Sequence, residues 1–129
     1  MANPNIVDVA TINGGSLGWN LTGSLDSLIT VTAEYILKVN RIVIANVDGT
    51  NGAEVDVAIT FATGTQTGFT VNTTAATTAY LAKTVEVPAD SSLVVTDTPI
   101  YLRAGDILKA KAEAVSDLDM FISYELLID

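Results

Sequence analysis

Glu54 and Asp56 stand two residues apart in the run AEVDVAITFA. On an extended chain that spacing turns both carboxylates to one face about 7 Å apart. Two carboxyl groups so placed can divide acid and base work, provided their surroundings push their pKa values apart. Neither an apolar nor a basic neighbour in the sequence does so, and the pair reads instead as the solvated side of an alternating strand. Asp48, Asn51 and Glu54, around the turn DGTNG, offer oxygens to calcium. They lack the alternate-position ligands and distal Glu of an EF-hand loop. A turn that needs residues tolerant of positive φ accounts for Asp, Asn and Gly without any ion. No metal ligand set and no cofactor site is expected.

Serine and threonine are plentiful, but the chain contains neither His nor Cys and no Ser-x-x-Lys, so no nucleophile has a partner to activate it. Without His the commonest general base and transition-metal ligand are missing. No glycine-rich phosphate loop leads into a helix. The expectation is a protein without catalytic activity. The only cations are Lys38, Arg41, Lys83, Arg103, Lys109 and Lys111. Lys109 and Lys111 share one strand face, directed either to an acidic partner or to solvent. Trp19, between Gly18 and Asn20, suits a sugar-stacking platform, an interface anchor or a core filler.

Fifteen acidic residues against six basic ones leave a formal charge of −9. Such a surface repels phosphate backbones and anionic lipid, so neither nucleic acid nor membrane is expected as a partner. Yet 49% of the residues are hydrophobic, and the mean hydropathy is +0.42. On a small domain, surplus apolar surface is most simply hidden against another subunit, and a homo-oligomer, a trimer first of all, is expected. No apolar stretch approaches the roughly 18 residues of a membrane span. The start, MANPN, has no basic or apolar region of a secretion signal, so the expectation is a protein that stays in the cytoplasm of the cell that made it, or leaves by lysis or as part of a particle.

Length suits one domain over residues 1–129. The hydropathy period is two almost throughout, which predicts strands at 35–47, 53–62, 79–87, 92–97, 107–114 and 119–128, with weaker ones at 6–12 and 27–32. The stretch YILKVNRIVIANV is apolar enough for a central strand covered on both faces. In the 53–62 segment Val55, Val57, Ile59 and Phe61 share the inward face, which places Phe61 in the core. Asp48–Gly52 is expected to close a hairpin between two strong strands, with further turns at 88–90, 103–106 and 116–117. Pro99 sits ahead of a short strand, where its missing N–H does little harm. Seven or eight short strands and no helical pattern predict an all-β, antiparallel sandwich resembling a jelly roll.

Two segments fall outside this ladder. Residues 13–24 and 63–78 are rich in Gly, Thr and Asn, and the second carries no charge, so it can be desolvated at little electrostatic cost. Residues 1–12 begin with Pro and Asn and then turn β-branched, as an extended arm that pairs with a neighbour's sheet edge would. Ile6, Val7, Val9, Trp19, Phe69 and Val71 are therefore the expected interface residues.

Several runs in the chain are similar to small, β-rich structural proteins of tailed bacteriophages, notably those of cyanobacteria and marine bacteria. They are MANPNIV at the start, IANVDGTN at 44–51, YLAKTVEVPADSSLVV at 80–95, PIYLRAGD at 99–106 and SYE at 123–125. Segments 13–33 and 62–77 depart most from the pattern. The resemblance implies a non-enzymatic component of a virion and carries over no site residues. A decoration or cement protein of the capsid surface, bound to the major capsid protein, is the first expectation. A neck, tail or baseplate component and a host-glycan-binding fibre module are the alternatives.

Overall fold

A computed structural model describes residues 11–62, 68–71 and 75–128, and all the regular structure among them is strand. The strands are β1 (Thr11–Asn20), β2 (Asp26–Thr30), β3 (Tyr35–Asn46), β4 (Ala53–Thr60), β5 (Thr78–Val87), β6 (Ser92–Thr96), β7 (Ile100–Leu102), β8 (Ile107–Ala112) and β9 (Leu118–Ile128). They form two antiparallel sheets, one in the order β1-β9-β3-β6 with β7 also on β3, the other in the order β2-β8-β4-β5. The chain is an all-β sandwich, as the alternation predicts. Ile6, Val7 and Val9, and the first ten residues of the expected arm, lie outside the described residues; Thr11 and Ile12 already belong to β1.

The core is the apolar layer between the sheets, with Val39, Ile42, Ile44, Met120 and Ile122 from one side and Val55, Val57, Leu108, Ala110 and Ala112 from the other. In β3 the inward positions change parity. Tyr35, Leu37 and Val39 face the core, then Ile42, Ile44 and Asn46 do, because the register with β9 slips at Asn40. One extra residue in one strand turns every later side chain over. This bulge explains much of the near-continuous apolar run of β3 without a fully covered second face: on the outer side Ile36 is buried beside Leu127, but Val43 and Ala45 stay half-exposed.

The connections differ from the hairpins that the turns suggest. β3 and β4 belong to different sheets, so residues 47–52 carry the chain across the sandwich instead of closing a hairpin. None of Asp48 to Gly52 adopts positive φ. The buried Asn46 organises the passage instead: its amide donates to Asn51 O (3.0 Å) and Val87 O (2.8 Å), and its oxygen accepts from Asp48 N (2.8 Å). Consecutive strands change sheet everywhere except β4–β5 and β6–β7. The 103–106 turn does so at Gly105, whose φ of 91° favours glycine and where a Cβ would lie 2.8 Å from that of Ala62. Asp106 ties the corner, accepting from Arg103 N and Ala62 N.

Two further expectations are overturned. Residues 13–20 are strand, not loop, because pairing with β9 supplies the partners that the glycine-rich sequence does not advertise. Phe61 is 41% exposed, since β4 ends at Thr60, after the inward Ala53, Val55, Val57 and Ile59, and the chain turns toward β5 before a fifth inward position is reached.

Candidate functional site

Asp56 is a carboxylate closely held by its surroundings, with Thr84 and Lys83 both on it. It lies on the outer side of β4 and yet is buried, because the facing stretch of β5 bulges over it. Thr84 of that bulge has φ 48° and donates its N–H to Asp56 Oδ1 at 2.7 Å, while Lys83 Nζ reaches Oδ2 at 3.2 Å and stands 4.9 Å over the Tyr80 ring. Lys111 is directly across on β8. Burial pushes the Asp56 carboxyl up, but the Thr84 N–H, Lys83 and the charge of Lys111 together outweigh it and hold the group below the ordinary value of 3.8. The carboxylate is thus kept ionised and both its oxygens are occupied. That arrangement fastens a strained bulge; a proton donor would need the opposite shift.

Glu54 and Asp56 do border a common open cleft of about 260 Å³, with Gly23, Thr84, Lys111 and Glu113. Its geometry is that of main-chain repair: Glu113 accepts from Glu54 N at 2.9 Å, and Glu113 N donates to Glu54 O at 2.8 Å. Around the other sequence candidate, the Asp48 carboxylate accepts from Thr50 N (2.9 Å) and from the Asn51 amide (3.4 Å), closing a local turn. Among the described residues no cluster of three or more acidic side chains is placed to hold a metal ion.

Of the expected interface residues, the three that are described, Trp19, Phe69 and Val71, are not brought together. Trp19 stands opposite Met120, which pairs with Ile44, near the end of β3 that leads to β4; it is half-buried against the core. Phe69 and Val71 are exposed, and belong to the connection that leaves β4 at the other end of the sandwich, where Thr60 pairs with Thr78. Lys109 and Lys111 do share an outer face, as their alternation predicts, beside Ala58 and Asp56.

A different surface carries three of the large exposed side chains. On the outer face of the five-stranded sheet, Gly18, Phe121, Val43 and Val94 form one row across β1, β9, β3 and β6. Two rows away Glu125, Lys38 and Tyr101 form another, with Lys38 Nζ 3.9 Å from Glu125 Oε2. Phe121 is 46% exposed, Val94 44% and Tyr101 54%. Sequence reasoning missed this face. Met120 and Ile122 flank Phe121 and face the core, so alternation in β9 alone marks Phe121 as outward, but its neighbours on β3 are hidden by the bulge at Asn40.

Comparison with known proteins adds little. No protein-family model matches the chain, and no curated protein matches it. A solved structure described as "Bacillus endospore appendages form a novel family of disulfide-linked pili" is similar over 92% of this chain and 87% of that one, with 15% identity and a TM-score of 0.44.

Proposed function

We propose that this chain is a non-enzymatic structural component of a bacteriophage particle, and specifically a decoration or cement protein that binds the major capsid protein on the head surface. The observation that carries the reading is the outer face with Phe121, Val94 and Tyr101 exposed on the strands of one sheet. Aromatic and aliphatic side chains held in place before binding lose little freedom on contact, which suits a surface built to dock. Val94 and Tyr101 fall within two of the runs that resemble tailed-phage structural proteins. The charge of −9 keeps such a module off the packaged nucleic acid.

Quantitative mass spectrometry of purified particles tests the proposal. A copy number in fixed, near-equal proportion to the major capsid protein supports it, and Phe121→Ala with Tyr101→Ala should weaken re-binding to heads stripped of the protein. A copy number matching the neck or tail proteins transfers the chain to those parts. Absence from the particle refutes the proposal.

A further inference from the structure

The edge of a sheet exposes N–H and C=O groups with no partner strand, and natural sheets defend such edges with shortness, bulges, charge or proline. Among the described residues the two sheets have four edges, and three of them are defended. β2 has five residues, a bulge between Ser27 and Ile29, and Asp26. β6 and β7, five and three residues long, share an edge, and β6 is bulged as well. β5 breaks register twice against β4 and carries Lys83 and Glu86. β1 has none of these features: it runs ten residues in unbroken register with β9, and TINGGSLGWN contains no charge and no proline.

The groups that β1 leaves open can be assigned. Leu21 N donates to Leu118 O at 2.9 Å, continuing the register in which Asn20 faces Asp119. In an antiparallel ladder such pairs alternate, so the odd-numbered residues of β1 turn to β9. Ile12, Gly14, Ser16, Gly18 and Asn20 then direct their N–H and C=O groups to the free edge. Two of these are glycines that the chain's own packing does not require. Neither has positive φ, and a Cβ at Gly14 or Gly18 would meet only a main-chain oxygen, at 3.8 or 3.6 Å. Gly15 is different, because a Cβ there would lie 2.6 Å from Tyr124 Oη. Glycine weakens a strand interior, and it commonly marks the close approach of another backbone.

We propose that β1 pairs antiparallel with β1 of a second copy of this chain across a two-fold axis, joining the two five-stranded sheets into one. Overlap of the outward groups is greatest with Ser16 opposite Ser16. Gly14 then faces Gly18 of the second copy, and the exposed Leu17 lies over its Gly15. Such an edge meets its own complement, with up to about ten main-chain hydrogen bonds available. Charge selects the same occupant: two chains of −9 repel over most of their surfaces, and the neutral β1 lets them meet without opposing like charges. The pairing is independent of any place on a virion.

The chain has no cysteine, so Ser16→Cys introduces one thiol, on the axis. Directly opposed, hydrogen-bonded residues have Cα atoms about 5.5 Å apart, within disulfide range. Mild oxidation is expected to convert S16C at micromolar concentration into a covalent dimer. Ser92→Cys, equally on the outer face but on β6, should stay monomeric on the same non-reducing gel. Ser16→Lys sets two ammonium groups against each other and should shift sedimentation from dimer to monomer at low salt, with the far-UV circular dichroism unchanged. The proposal is overturned if the unmodified chain sediments as a monomer or a trimer, if S16C crosslinks no faster than S92C, or if Ser16→Lys remains dimeric.

Discussion

Removing the Asp56 carboxylate tests whether a side chain, and not the backbone ladder, holds the bulge of β5 in place. Asp56→Ala leaves the Thr84 N–H without its acceptor in a segment already at φ 48° and frees the Lys83 ammonium. A hydrogen bond to a charged acceptor contributes about 1.5–3 kcal/mol. The Lys83 side chain is more than half exposed, so its ion pair adds no more than about 1 kcal/mol and is screened by salt. Relief of the carboxylate's own desolvation offsets part of the loss. The expected cost of Asp56→Ala is therefore about 2–3 kcal/mol, and that of Asp56→Asn, which keeps an oxygen for Thr84, about 1 kcal/mol. Urea unfolding with an unchanged slope would measure it. The pH dependence gives a second readout. With its folded-state value below 3.8, Asp56 contributes stability that is fully present above 3.8 and disappears as pH falls through the lower, folded-state value. The gap between the native chain and Asp56→Ala should be flat near neutrality and close in acid. A cost under about 0.5 kcal/mol, or a gap indifferent to acid, would show that the bulge stands without the carboxylate.

The remaining tests concern packing and turns. Leu108→Ala, at a fully buried position between the sheets, should cost about 3–4 kcal/mol in denaturant unfolding, whereas Phe61→Ala should cost about 1–2 kcal/mol because much of that ring is already in water. Gly105→Ala combines an unfavourable φ with a collision at Ala62, so a loss of at least about 2 kcal/mol is expected by thermal melting. Asn46→Ala strips two carbonyls and an N–H of their shared partner and should cost about 2–3 kcal/mol, with amide exchange accelerating at Asp48 first.

Strand positions in β3, β4, β5, β6, β8 and β9 were legible in the sequence to within a residue or two, and so was the two-layer, all-β class. Period-two alternation is a local consequence of the extended backbone and needs no knowledge of partners. The shared outer face of Lys109 and Lys111 was legible for the same reason. The sheet to which each strand belongs was not: DGTNG reads as a hairpin, yet the buried Asn46 directs that segment from one sheet to the other. β1 was hidden, because three glycines and an uncharged polar composition resemble a loop until β9 supplies the hydrogen bonds. Asp56 looked solvated, and its burial follows from two residues of β5, 27 and 28 positions away, folding over it. Likewise the bulge at Asn40 decides which β3 side chains accompany Phe121 and Val94 on the outer face. By itself the sequence determined what each segment is, since backbone geometry imposes its period on neighbours along the chain. Only the tertiary structure decided which edges are open and which charges are covered, because those depend on register between segments far apart in sequence, where one inserted residue reverses a face.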